Sequence, residues 1–406
     1  MIQRFAAHSI MLLFVIFSSS CTFFCSKTKD GQGGVSESGL LNVEYLYSIG
    51  ERNMHQGKFI IVYADDPLVD DAGNIIFTDE DYIKIYDAEG NGKKILGGQG
   101  QGPGEFEKEP ELFLSPTGYL TALHYGRSLE RITLYDREYN FVKDFRYSSS
   151  PKLQRFLREN GYERANIYGT LSFYALSENE YVYEMRFTKD EEMKWAIIHE
   201  TVDSLYVISH EKYPAGFIAG GRKSIGGNFG KQWTYLLPDR RLMFINTDED
   251  VFFNDDSGEI TIHFVSLDTH VDEVVKYPLD PVPYPENPLV SIYGEESLKR
   301  RRKEWIDETR KRMQKRKYWP MDWLLVDDNF VFLFFRQDYS GDPSHYYDEI
   351  TVDLFDAGNM KRLPPFRING AQSTIRNGKI YKVGTDKDGF CEIKVYKLNE
   401  SIYNPS

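Results

Sequence analysis

The side chains able to do chemistry are spread along the chain rather than gathered. His199-Glu200 and His210-Glu211 each supply the first half of a His-Glu-x-x-His pattern, which places two imidazoles on one face of a helix around zinc, and neither completes it. No Cys-x-x-Cys pair offers thiolates to zinc, and no Gly-x-Ser-x-Gly turn presents a nucleophile. Gly226-Gly227-Asn228-Phe229-Gly230-Lys231 has the composition of a phosphate-binding loop, but Gln232 stands where the Ser or Thr belongs and the first glycine is misplaced, so a flexible loop is expected. Two acidic groups could offer oxygens to calcium: Asp248, Glu249, Asp250, Asp255 and Asp256 in one loop, and Asp338, Asp342 and Asp348 in another. Neither follows the EF-hand spacing, and solvated turns are the simpler reading; Asp386-Lys387-Asp388-Gly389 reads as a turn outright. No catalytic residue is assigned, the metal ligands stay open, and no cofactor is expected, with calcium the one candidate. The binding candidates are loop residues that combine flat or charged side chains: Tyr125, Arg127, Arg222, Trp233, Tyr339, His345 and Tyr346.

Composition narrows the partners. The formal net charge is −13, so a general nucleic-acid binder is excluded by its need for a basic surface. Aromatics make up 15% of the chain, which suits half-buried strands. With three cysteines there is no disulfide framework, and Cys391, inside a strand pattern, reads as a small apolar core residue.

The N-terminus reads as targeting. Arg4 is followed by the apolar run 10–17 and then by Ser18-Ser19-Ser20-Cys21, which resembles a bacterial lipoprotein signal although Ser18 departs from the usual branched residue. The resemblance implies a signal over residues 1–21, lipidation at Cys21, and a cell-envelope location, the outer membrane being favoured. Residues 22–40 then form a flexible tether, rich in glycine and polar residues.

The fold is legible in a repeat: an apolar strand, a tight polar turn, a second apolar strand, a variable loop, and a third strand ending in an aromatic. It appears at 68–77 with 83–87, at 112–123 with 132–136, and at 174–185 with 195–199. It recurs at 235–246 with 260–265, at 324–335 with 350–356, and at 372–383 with 391–398. A fourth strand follows in each of the first five copies, and the sixth runs out of chain. Residues 43–50 are strand-like and end in Gly50, so they are expected to complete the sixth sheet. The stretch 97–106, GGQGQGPGEF, is similar to the joint between blades in NHL-type β-propellers. Repeat and joint together imply an all-β, six-bladed β-propeller of four-stranded antiparallel blades over residues 41–400, closed by its N-terminal strand.

Within that architecture, the turns between strands one and two and between strands three and four share one face and are short throughout. The long connections fall on the opposite face, where binding is expected. One of them, 290–318, reads as a helical insertion between blades four and five, with eleven basic and three acidic residues over 299–317. A helix laid on the ring explains it better than a membrane-surface element. The expected function is a membrane-anchored binding or scaffolding module for a protein, peptide or glycan at the envelope, acting as a monomer. The alternative is a metal-dependent, lactonase-like hydrolase or lyase, an activity class known among six-bladed propellers.

Overall fold

A computed structural model of the 406-residue chain describes residues 43–50, 57–124, 131–162, 167–189, 192–212, 217–219, 222–224, 232–246, 250–253, 257–279, 282–283, 299–300, 303, 306–307, 310, 318–319, 323–335, 350–368 and 374–404. Among these, six antiparallel sheets form a six-bladed β-propeller. Blade one is Leu68–Val69, Ile75–Asp79, Tyr82–Tyr86 and Gly92–Gly97. Blade two is Glu111–Leu114, Leu120–Leu123, Arg131–Tyr135 and Phe141–Arg146. Blade three is Ile167–Ser177, Glu180–Lys189, Glu192–Glu200 and Leu205–Lys212. Blade four is Gln232–Leu236, Arg241–Asn246, Gly258–Ser266 and Asp272–Leu279. Blade five is Trp323–Asp327, Phe330–Phe335, Ile350–Asp356 and Lys361–Ile368. Blade six takes Thr374–Arg376, Lys379–Thr385 and Cys391–Leu398 from the C-terminal end and Val43–Ile49 from the other. That last pairing runs from Val43 opposite Leu398 to Ile49 opposite Ile393, so the ring closes as the repeat implied.

Strands in this fold are covered on both faces, which is why they read as nearly continuous apolar runs. Ile75 and Phe77 pack with Tyr381, Ile393 and Val395 of blade six. Ile76, between them and pointing the other way, packs with Leu120, Ala122 and Tyr135 of blade two. The joint 97–106 shows why its glycines are there. Gly97 has a φ of +81°, and a Cβ on it would stand 2.1 Å from the ring of the fully buried Phe106. Gly97→Ala is therefore expected to lower stability by about 2–3 kcal/mol, through overpacking and left-handed strain together, measured as a shifted urea midpoint.

The short-turn face is stitched across every blade boundary. Lys94 Nζ donates to the carbonyl of Tyr139 at 2.8 Å, joining blades one and two. Lys143 reaches the Glu178 carbonyl of blade three. Arg240 of blade four donates to Glu180 Oε1 of blade three at 2.8 Å, and Arg241 to the Ala357 carbonyl of blade five at 2.7 Å. Asp327 of blade five accepts the backbone N–H groups of Asn377 and Gly378 at 2.8 and 2.9 Å, and Arg376 pairs with Asp71 to return to blade one. These contacts assign much of that face to holding the ring together.

Three features go beyond the repeat. Residues 148–169 hold a helix, Pro151–Glu159, started by Pro151 after the Ser150 cap and seated through buried Leu153 and Leu157, four residues apart. Residues 217–224 hold a two-stranded hairpin, Phe217–Ala219 with Arg222–Ser224. Val251–Phe253, expected in a loop, pairs with the start of Gly258–Ser266. In the basic insertion, Lys299, Lys303, Ile306, Asp307 and Arg310 are helical. The chain enters and leaves that insertion through paired segments Val282–Pro283 and Tyr318–Trp319.

Candidate functional site

The described part of the long-loop face is built around blades one and two. Segment 57–67 arrives from the closure strand and crosses the end of blade one, where Asp79 holds it. The Asp79 carboxylate accepts the N–H groups of Val62 and Tyr63, both at 3.0 Å, and the ammonium of Lys84 at 2.6 Å. Lys84 also donates to the Ile60 carbonyl at 2.5 Å. Both charged side chains are buried, so each depends on the other and on the backbone of the segment. Phe59 packs edge-on to Tyr86, whose hydroxyl donates to the Phe59 carbonyl. Ile60 and Val62 are thereby held in solvent, 44% and 61% exposed.

Carboxylates gather beside that exposed apolar pair. Tyr63 Oη donates to Asp65 Oδ1 at 2.5 Å, and Thr78 Oγ1 to Glu109 Oε1 at 2.9 Å. Desolvation lifts Glu109 above the usual carboxylate range against the Thr78 bond, and the charges of Asp65, Asp79 and Asp81 add to it. Asp66 is also raised, by desolvation first and then by Asp65. Its side chain is exposed, and its charge is felt by Tyr235 on the innermost strand of blade four, the blade opposite in the ring. The mouth is thus acidic, with Lys84 already committed.

Blade two supplies a second buried polar chain under the joint. Arg131 donates to the Gly102 carbonyl and to Asp144 Oδ2, each at 2.5 Å; Thr133 Oγ1 donates to Asp144 Oδ1 at 2.5 Å and contacts His124 Nε2 at 2.6 Å. Because the threonine proton goes to Asp144, His124 Nε2–H is the donor to the threonine oxygen, which leaves Nδ1 as the acceptor. The ring lies 4.9 Å from that of Phe106. Burial, then the nearby Arg131 charge, hold its pKa down at about 4, with Asp144 opposing. The unfolded chain binds this proton near 6.5 and the folded chain near 4, so stability falls as pH drops through that window, by about 3 kcal/mol once both states are protonated. Urea unfolding at pH 7 and pH 4.5 should show a smaller loss for His124→Gln than for the wild type; equal losses would rule this origin out.

The structure distributes the sequence candidates unevenly. Trp233 lies on the first strand of blade four and packs against the core shared with blade five. Arg222 lies on the second strand of the 217–224 hairpin. Tyr125, Arg127, Tyr339, His345 and Tyr346, together with Cys21, lie outside the described residues, as do Asp248, Glu249, Asp255, Asp256, Asp338, Asp342 and Asp348. Asp250 is engaged by the Asn246 N–H at 2.6 Å and by His263 Nε2 at 3.3 Å. Burial opposes a charge on that His263, but Asp250 and Asp272 outweigh it and raise its pKa to about 9. His199-Glu200 occupies a strand rather than a helix, so its two side chains point to opposite faces: Glu200 accepts from Tyr183 Oη at 2.8 Å, while His199 turns toward blade four. Among the described residues, no group of three or more His, Cys, Asp or Glu side chains is placed to hold a metal ion.

Fold and site together define a six-bladed β-propeller whose long-loop face is acidic at the boundary of blades one and two. No protein-family model matches the chain, and no curated protein matches it. Solved structures align across most of its length at low identity. A protein from Bacteroides fragilis named as an export candidate is similar at 9% identity and a TM-score of 0.45, over 90% of this chain and 97% of its own. A gluconolactonase from Xanthomonas campestris aligns at 9% identity and a TM-score of 0.39, over 83% and 86%. An oligogalacturonate lyase in complex with manganese aligns at 11% identity and a TM-score of 0.38, over 85% and 98%.

Proposed function

We propose that this protein is a lipid-anchored envelope propeller that acts as a binding module, taking a basic protein or peptide segment on its long-loop face. The observation that carries the reading is the acidic mouth beside Ile60 and Val62. Glu109, half-buried, and Asp66, beside Asp65, are both raised above the usual carboxylate range, and a bound ammonium or guanidinium relieves that condition. The neighbouring exposed apolar side chains suit a segment that mixes basic and apolar residues. The division of labour between the faces supports it as well, because the short-turn face is stitched at every blade boundary. Lipidation at Cys21 would keep the ring at the membrane, with the tether setting its reach.

The test is fluorescence anisotropy of a labelled oligolysine peptide against the full chain at low salt. A variant combining Asp65→Asn, Asp66→Asn and Glu109→Gln is expected to bind at least about tenfold more weakly, and raising the salt should weaken the wild type in the same sense. Equal affinity of variant and wild type would remove the acidic mouth as the binding determinant.

A further inference from the structure

On the short-turn face, the boundary of blades three and four differs chemically from the other five. Elsewhere the stitches among the described residues use lysine, arginine, carboxylate, tyrosine, threonine, asparagine or backbone groups, which keep their charge or carry none around neutral pH. Here two imidazoles meet. His199 Nδ1, on the third strand of blade three, lies 3.0 Å from His270 Nε2, in the turn between the third and fourth strands of blade four. His199 Nε2 lies 3.0 Å from Glu180 Oε1, the same oxygen that accepts from Arg240. Arg240 also donates through Nε to Asp268 Oδ1 at 2.9 Å. The His270 ring stacks on Tyr206 of blade three with centroids 3.9 Å apart.

The proton positions follow from these partners. Glu180, held as a carboxylate by Arg240, can only accept, so His199 Nε2 carries a proton and donates to it. His199 Nδ1 is then the acceptor, and His270 Nε2–H donates to it. One further proton can enter at His270 Nδ1 without breaking anything. A second has only His199 Nδ1 to bind, and there it sets two N–H groups against each other at hydrogen-bond distance. The charged and titratable groups facing the pair are Glu180, Tyr206, Arg240 and Asp268, and in the closed contact His270 Nε2–H is directed at His199 Nδ1 rather than at any of them. Burial already keeps His199 below the ordinary histidine pKa, against the bond and charge of Glu180, so the ring is neutral when the contact is made. Two residues of the blade-four turns are held in the left-handed region, Arg240 at φ +63° and His270 at φ +57°. The equivalent turn residue of blade two, Tyr139, has the same conformation at φ +61°, so the turns of the two blades differ in the imidazole contact and not in backbone geometry.

We propose that His199, His270 and Glu180 form an acid-sensitive latch between blades three and four: closed while His199 is neutral, and opened when both imidazoles are protonated, freeing the turn 266–271 from blade three. The device lies on the face opposite the acidic mouth and does not depend on what binds there.

Hydrogen–deuterium exchange of the full chain at pH 7.5 and pH 5, corrected for the intrinsic pH dependence of exchange, tests it. Segments covering 199–206 and 266–271 are expected to lose at least about tenfold in protection at pH 5, while the equivalent turn of blade two, 135–141, keeps its protection. His270→Gln should remove the difference, because its amide can donate to neutral His199 or accept from the protonated ring without titrating. Unchanged protection in the wild type would overturn the latch, and so would a pH response that survives in His270→Gln. If His270→Gln fails to fold, the wild-type comparison with the blade-two turn still decides.

Discussion

Removal of residues 43–49 is expected to abolish cooperative folding. The segment forms the outer strand of blade six and pairs with residues 393–398 of the strand Cys391–Leu398. Its Ile49 is 1% exposed and packs with Ile75, Tyr86 and Ile393, so the deletion opens the core between blades six and one as well as the sheet edge. A folded domain has about 5–15 kcal/mol of stability in all, and losing a seven-residue strand, six of whose residues are paired, plus a core side chain uses most or all of it. The exposed edge would also promote aggregation. The measurement is thermal unfolding by circular dichroism after expression of the deleted chain. Insoluble product or a broad, non-cooperative melt is expected; a soluble protein with a sharp transition would contradict closure by this strand.

Asp79→Ala is expected to cost about 3–5 kcal/mol, because it strands the buried Lys84 ammonium and leaves the N–H groups of Val62 and Tyr63 without their acceptor. The loss should be non-additive. Lys84→Met combined with Asp79→Leu removes both charges together and should destabilise less than Asp79→Ala alone, although the two N–H groups then turn to water. Urea titration of the single and double variants distinguishes these outcomes. The substitution also has a functional consequence, since segment 57–67 carries Ile60, Val62, Asp65 and Asp66 and is held in place by Asp79. Oligolysine binding should fall in Asp79→Ala even under conditions where the rest of the ring is folded.

The repeat, the short turns and the closing strand were legible because they rest on local physics. Alternation of apolar residues, tight turns, and a glycine that only its own conformation permits are all visible within ten residues of one another. Gly97 and Phe106 illustrate this, with the ring of one occupying the space a side chain on the other would need. The helix Pro151–Glu159 carried a readable signal, Ser150-Pro151 followed by Leu153 and Leu157, but it lay inside a stretch defined only by its length between two repeats. Asp79 and Lys84 were not legible as a pair. Asp79 ends one strand and Lys84 lies midway along the next, where neither residue type signals a partner, and only the fold brings the backbone of 60–63 over them. His199 and His270 are further from sequence reach, being separated by 71 positions and belonging to different blades. His199 even pointed elsewhere: beside Glu200 it suggested a zinc helix, and the strand that carries both sends them to opposite faces.

The proposed assignment of binding to the long-loop face is tested directly by hydrogen–deuterium exchange of the full chain with and without saturating oligolysine peptide. The acidic mouth requires new protection in 57–67 and 97–110, with no change in the short turns 70–74, 115–118 and 376–379, and loss of that protection in the Asp65→Asn, Asp66→Asn, Glu109→Gln variant. Protection confined to the short-turn face, or none on either face, would contradict the assignment of binding to the long-loop side of the ring.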